Sequence, residues 1–233
     1  GIEIENDSAL LKLLVELRPD VVINCIGMVK QLADSKDPLK IIPINSLFPH
    51  RTALFCKAIG ARFIHISTDC VFSGLKGNYI EADNPDAQDL YGRSKYLGEV
   101  DYPHAITIRT SIIGHELFSK KGLIEWFLAQ EKPVDGFKKA IFSGFPTIEL
   151  SKIIHHYILP KPDLTGLYHV ASNPISKFDL LCLVNKVYEK NLEIMPNDSV
   201  LIDRSLNAER FNQVTGYKVL DWPQLIKKMY HYR

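Results

Sequence analysis

Three apolar runs of strand length, spaced by helix-forming segments, do most to restrict what this chain can fold into. Val21–Ile26 is a nearly continuous apolar run, the signature of a strand buried on both faces, and Arg62–Ile66 and Ala105–Arg109 read as the next strands. Between them lie helical segments. Leu10–Leu17 is a short amphipathic helix closed by Arg18-Pro19-Asp20. A second spans Ser46–Ile59, with Ser46 as N-cap, Pro49 tolerated in the first turn and Gly60 as the stop. A third is Tyr91–Val100. Strand, helix, strand, helix, strand at this spacing predicts right-handed βαβ units and an α/β fold, a parallel sheet with helices on both faces.

After Gly114 the pattern loosens. Gly122–Gln130, Thr147–Leu159, Lys177–Tyr188 and Trp222–Tyr230 read as helices, Gly166–Val170 as a short strand, and Leu206–Val214 as a further segment. The expected organisation is therefore an α/β domain over residues 1–115 and a smaller C-terminal α/β lobe over 116–233. The boundary falls near Ser111 to Leu123, with interleaved elements. The chain of 233 residues is long enough for this. Its formal net charge of +1 offers no electrostatic case for nucleic acid or an anionic membrane. The pairs Lys120-Lys121 and Lys227-Lys228 read as solvated helix faces. Cys25, Cys56, Cys70 and Cys182 form no CxxC pair and have no metal-type spacing, and Cys25 and Cys70 sit in apolar or strand-end contexts, so buried free thiols in a reducing cytoplasm are expected. No apolar run approaches the roughly 20 residues of a membrane helix. Gly1–Asn6 lacks the basic region and apolar core of a signal peptide.

Ligands of parallel sheets bind at the carboxyl ends of the strands, which points to Thr68 and Thr110. Tyr91 and Lys95 are one helical turn apart and can share a face. A phenol beside an ammonium, with a hydroxyl from a strand end, can move a proton on and off a ketone or alcohol oxygen. The phenol's ordinary pKa of about 10 makes a nearby cation necessary for acid–base work near neutrality, and Lys95 is placed to supply it. The bland alternative is a surface Tyr and Lys on an amphipathic helix, with Thr68 as a cap.

The surrounding residues favour the first alternative. Ile66-Ser67-Thr68-Asp69-Cys70-Val71-Phe72 followed by Leu90-Tyr91-Gly92-Arg93-Ser94-Lys95-Tyr96-Leu97-Gly98-Glu99 resembles the extended short-chain dehydrogenase/reductases that act on nucleotide sugars. Within that branch the chain is most similar to the dTDP-4-dehydrorhamnose reductase family. Val22-Ile23-Asn24, Ile108-Arg109-Thr110-Ser111, Phe145-Pro146-Thr147, Gly166-Leu167-Tyr168-His169 and Ser205–Phe211 continue the resemblance in order.

The resemblance implies a Rossmann-like fold and reduction of the 4-keto group of a nucleotide-linked 6-deoxyhexose, in the cytoplasm, for rhamnose-type sugars of cell-surface polysaccharide. The cofactor implied is NADP or NAD, with NADPH favoured. Tyr91 would donate the proton, Lys95 would also grip the nicotinamide ribose, and Thr68 would hold the carbonyl. Ile26, Gly27, Met28 and Val29 would line the cofactor path through their backbone, joined by Asn24, Ser67 and Thr110. Gly27 has a direct reason to be small if a ligand approaches the main chain there, and a tight turn is the other reading. Asn45 matches an asparagine that braces the active-site backbone, with a helix cap as alternative. Asp69 is a substrate-side residue or a turn cap. Ile112 stands where the family usually carries a tryptophan against the sugar. The resemblance implies no nucleic-acid or membrane partner, and a homodimer is the default assembly. No metal spacing is present, His65 and His155-His156 included, and nothing carries over the Mg2+ of some relatives. The family's glycine-rich turn opening a helix has no counterpart: Gly74/Gly77 follow a strand, and Gly92/Gly98 lie in and after a helix. The chain thus resembles a reductase missing its first βαβ unit, with the proton-transfer half of the site present and the pyrophosphate half absent. A non-catalytic dinucleotide-binding regulator, or a nucleotide-sugar epimerase or dehydratase, are the competing functions.

Overall fold

The computed structural model of the protein describes residues 3, 5–30, 32–117 and 121–232; Gly1 and Lys120, which enter two of the expectations above, lie outside them. The chain divides into two compact units. The first comprises Gly1–Ser73, Asp83–Arg109 and Pro162–Tyr168, the second Gly74–Ala82, Thr110–Lys161 and His169–Arg233.

The chain opens with α1 (Asp7–Leu17) and β1 (Val21–Asn24). Next, α2 (Pro38–Ile42) runs through a π-helical stretch, Pro43–Leu47, into α3 (Phe48–Ile59). Then come β2 (Arg62–Thr68), α4 (Leu90–Leu97) and β3 (Ala105–Thr110). The second unit adds β4 (Ile112–Ile113), α5 (Leu123–Leu128), β5 (Val134–Phe137), β6 (Ala140–Phe142), β7 (Phe145–Pro146) and α6 (Thr147–Ile153). β8 (Gly166–His169), β9 (Ile175–Ser176), α7 (Lys177–Val187), β10 (Ile194–Asn197), β11 (Ile202–Asp203), α8 (Glu209–Thr215) and α9 (Trp222–His231) complete the chain. Among the described residues no helix is long and apolar enough to cross a membrane.

The larger sheet has the order β1-β2-β3-β8. β1 and β2 pair in parallel, with Val21 opposite Arg62 and Asn24 opposite His65. Every residue of β3 is buried, and all of β2 except Ile66. β1 departs from the expectation of a strand buried on both faces: Ile23 is 41% exposed, and among the described residues this strand pairs only with β2, at the edge of the sheet. α3 covers the sheet through Ala53 and Cys56, which pack with Phe63, Val100 and Ala105. Burying a side chain such as Phe63 contributes about 1.5–3 kcal/mol.

The helix expected to begin at Ser46 begins eight residues earlier, at Pro38. Asp37 caps it, accepting from Leu39 N at 2.9 Å, and Pro38 occupies the first turn, where no N–H is needed. Pro43 then removes an interior N–H, and there the helix widens into a π turn instead of stopping. Ser46 is buried within this run and donates to the Ser94 carbonyl at 2.8 Å. Gly60, in the left-handed region at φ 75°, ends the helix as expected.

The second unit holds three small sheets, of order β10-β5, β11-β6-β9 and β4-β7. Its core includes Phe127, Phe145, Ile153, Phe211, Leu225 and Ile226, all fully buried. Its last helix is set by a reciprocal capping box between Asp221 and Gln224.

Candidate active site

α4 carries the expected pair, and its local sequence explains its placement. Asp89 caps it, accepting from Gly92 N at 2.9 Å. Glycine is required at two points of close approach. A Cβ at Gly92 would run into the Cys70 carbonyl, and one at Gly98 into the Asn45 carbonyl. With hydrogen there, α4 lies directly against the turn after β2 and the π stretch of the preceding helix. Ser94 ties the same contact, donating to Tyr91 O at 2.8 Å and accepting from Asn45 Nδ2 at 3.2 Å.

Thr68 ends β2 and caps the short 3-10 turn Asp69–Val71. Its hydroxyl accepts from Cys70 N at 3.1 Å, donates to Asp69 Oδ1 at 3.2 Å, and is hydrogen-bonded to the Tyr91 phenol. Lys95 is 5% exposed and donates to the Ile66 carbonyl at 2.8 Å. The fold therefore brings Thr68, Tyr91 and Lys95 to one place at the end of β2.

The electrostatics revise one expectation. Burial, Cys70 and then the carboxylates Asp69 and Asp89 push the Tyr91 phenol above its usual range, while the hydrogen bond with Thr68 acts the other way. Lys95 does not draw it toward neutrality, because desolvation of the phenol dominates and the ammonium is committed to the Ile66 carbonyl. Lys95 itself is lowered to about 8 by burial, opposed by the attraction of Glu99 and Cys25. Near pH 7 the set is thus a neutral phenol beside an ammonium.

Asn24 is buried at the end of β1; its Oδ1 accepts from Ile26 N at 3.0 Å, and its Nδ2 lies 3.1 Å from His65 Nδ1. Asn45 lies in the π stretch, not at a helix cap: its Oδ1 accepts from Met28 N at 2.7 Å and its Nδ2 donates to Met28 O at 3.0 Å. The N–H groups of Ile26 and Met28 are therefore taken by the protein, while Ile26 and Val29 keep exposed side chains. A Cβ at Gly27 would find only Asn45 Oδ1 at 3.5 Å and Lys95 Nζ at 3.8 Å, which are ordinary contacts. Ser67 donates to Glu99 Oε1 at 2.7 Å. Thr110, buried, and Ile112, 44% exposed, belong to the second unit. There Thr147 donates to Ile113 O at 3.2 Å.

Two further groups, Glu99 and His65, stand behind the site. Glu99 accepts from Arg109 Nε and Nη2, both at 2.8 Å, as well as from Ser67. Its signal was in the sequence: Tyr91, Lys95 and Glu99 recur at intervals of four. His65 is fully buried, stacked on Phe63 and held well below its usual pKa by burial, so it stays neutral. Among the described residues no group of three His, Cys, Asp or Glu side chains could hold a metal ion.

A parallel sheet with a strand-end threonine facing a Tyr-x-x-x-Lys helix is the arrangement of the extended short-chain dehydrogenase/reductases. The chain belongs to the family of the RmlD substrate binding domain, whose model matches residues 1–229. The probable low-salt glycan biosynthesis reductase Agl14 of Haloferax volcanii is 33% identical over 220 residues, 89% of this chain and 70% of that protein. The dTDP-4-dehydrorhamnose reductase of Mycobacterium tuberculosis is 35% identical over 101 residues, 40% of this chain and 33% of the enzyme. The chain thus spans about a third of the length of the first curated relatives it matches. Among solved structures, the dTDP-4-dehydrorhamnose reductase of Bacillus anthracis in complex with NADP superposes with a TM-score of 0.85 at 21% identity. That match covers 100% of this chain and 86% of the other, and it shows the shared fold.

Proposed function

We propose that this protein reduces the 4-keto group of a nucleotide-linked 6-deoxyhexose, a dTDP-4-dehydrorhamnose type of substrate, with NAD(P)H. The observation that carries the reading is the convergence of Thr68, Tyr91 and Lys95 at the end of β2, with the phenol neutral and the ammonium buried. A protonated phenol is the form a proton donor needs. Tyr91 gives its proton to the carbonyl oxygen, and the Thr68 hydroxyl holds that oxygen in line and stabilises the charge developing on it. Lys95 keeps a positive charge beside the same oxygen.

The residues present fit the nicotinamide-ribose end of a dinucleotide. The fold itself has no need of glycine at position 27, since a Cβ there meets only ordinary contacts, and hydrogen leaves open the space beside Lys95. Gly27, Lys95, and the backbone from Ile26 to Val29 pinned by Asn24 and Asn45, would hold the cofactor. Ser67 and Thr110 complete the set by resemblance. When bound, NAD(P)H supplies the hydride. Asp69 and Ile112 are the proposed sugar contacts, and NADPH is the favoured form because the Bacillus anthracis relative is described with NADP. A cytoplasmic homodimer is the assembly this reading adopts.

The test uses the protein at its full natural length with NADPH and dTDP-4-dehydrorhamnose, following the nicotinamide absorbance. Turnover abolished in Tyr91→Phe supports the reading. Inert wild-type protein overturns the assigned substrate, and unchanged turnover in Tyr91→Phe overturns the proton donor.

A further inference from the structure

α4 presents three functional groups at intervals of one turn: Tyr91, Lys95 and, just past its end, Glu99. Glu99 accepts three side-chain hydrogen bonds. Arg109 grips it with two parallel hydrogen bonds of 2.8 Å, and Ser67 adds a third of 2.7 Å. The Glu99 and Arg109 side chains are only 9% and 2% exposed. The same guanidinium also lies over the Phe72 ring, 5.0 Å from the centroid.

These partners occupy telling places. Ser67 immediately precedes Thr68 on β2, Arg109 is the penultimate residue of β3, and Phe72 follows the turn that Thr68 caps. One carboxylate therefore ties the ends of two central strands to the helix bearing Tyr91 and Lys95. The Lys95 ammonium is bound to the carbonyl of Ile66, the residue before Ser67. A displacement of Glu99 would thus be felt at both Thr68 and Lys95.

We propose that Glu99 is a positioning residue for the Thr68/Tyr91/Lys95 set: clamped by Arg109 and Ser67, it registers α4 against the ends of β2 and β3 and supplies the negative charge that keeps the buried Lys95 an ammonium. This inference rests on the reductase reading for its catalytic meaning. The groups facing Lys95 are Tyr91 on its own helix, Glu99 just past the end of that helix, Cys25 after β1, His65 on β2 and, through Glu99, Arg109 on β3. Burial keeps His65 neutral and raises the Cys25 thiol, so neither carries charge near pH 7. Glu99 and Arg109 are then the opposed permanent charges behind the ammonium, and Glu99 is the one that holds Lys95 up against the cost of burial.

The two charges make opposite predictions, which a packing role would not. In Glu99→Gln, Arg109 is left facing Lys95 without its counter-charge, so the Lys95 midpoint falls from about 8 by about one unit. In Arg109→Gln the carboxylate loses its competing partner and the midpoint rises. The measurement is the titration of the Lys95 Cε signal in protein labelled with 13C-lysine, assigned by Lys95→Arg, with thermal unfolding as a check that each variant is folded. Shifts of opposite sign support the proposal. A Lys95 midpoint unmoved in either folded variant, or moved the same way in both, overturns it. If one variant does not fold, the sign in the other decides. The titration needs no substrate, so it stands apart from the reductase assignment. Should NADPH turnover also be observed, the alkaline limb of kcat moves to lower pH in Glu99→Gln and to higher pH in Arg109→Gln.

Discussion

Each unit of the molecule buries a glutamate against a cation, and the two pairs are built for different ends. In the first unit, Glu99 and Arg109 are both nearly inaccessible and meet through two parallel hydrogen bonds. In the second, Glu149 on α6 is buried, but its partner Lys228 on α9 keeps 35% of its side chain exposed. Glu149 also accepts from the Tyr217 hydroxyl at 3.1 Å, and burial together with that carboxylate pushes the Tyr217 phenol far above its usual range. The second network fastens helices to one another and stops there. The first fastens a helix to strand ends where a hydroxyl, a phenol and an ammonium converge. A buried charge pair is weak evidence of stability by itself. What it holds in place distinguishes the two.

The sharpest way to break the comparison is to remove one phenol from each unit. Tyr91→Phe is expected to lower reductase turnover by about 10²–10⁴-fold, the usual worth of a positioned acid. Tyr217→Phe leaves turnover intact and costs about 1 kcal/mol of stability, the worth of its hydrogen bond to Glu149. Steady-state kinetics and urea unfolding on both variants check this, and equal loss of turnover would erase the distinction.

Removing the glutamates comes next. Glu99→Ala strands the Arg109 charge in the interior and is expected to cost about 3–5 kcal/mol. Glu149→Ala lets Lys228 turn to water, so its cost is expected to be about 1–2 kcal/mol, mainly from the Tyr217 hydroxyl left without its acceptor. Urea midpoints at fixed pH give both numbers, and the order of the two is the informative outcome.

The pH response separates site from scaffold within the first unit. Lys95 is depressed to about 8 from 10.5, so between those values the unfolded chain binds more protons than the folded one. Its contribution is unfavourable below pH 8, and stability from this group rises as pH climbs from about 8 toward 10.5. On the proposed mechanism turnover needs the ammonium and is expected to fall over the same interval. Lys95→Met is expected to lose the stability slope, as read by thermal unfolding across that range. The smallest effect belongs to the helix caps: Asp37→Ala in the first unit and Asp221→Ala in the second should each cost about 1 kcal/mol.

The legible part of the fold was the central sheet. Arg62–Thr68 and Ala105–Thr110 declare themselves because strands buried on both faces are largely apolar, and Val21–Asn24 does so by its apolar run although Ile23 is exposed. The first eight residues of the Pro38–Ile59 helical run were hidden by Pro38 and Pro43, which read as interruptions. Asn45 and Ser46 read as caps because such side chains usually bond the local backbone, whereas here they bond Met28 and Ser94. In the second unit, β5, β6 and β10 run to three or four residues and include Gly136 and Pro196, too short and too interrupted for any period to show.

The sequence by itself determined the alternating α/β class, the strand-end Thr68, and the spacing that puts Tyr91 and Lys95 on one helical face, because periodicity and strand polarity are local properties. Only the tertiary structure decided the protonation of that set. Burial raises the phenol and lowers the ammonium, and Glu99 opposes the fall in Lys95, through desolvation and charge contacts between residues such as Ile66, Lys95, Glu99 and Arg109. Such terms depend on which distant segments exclude water from which groups, and no pattern within one segment encodes that.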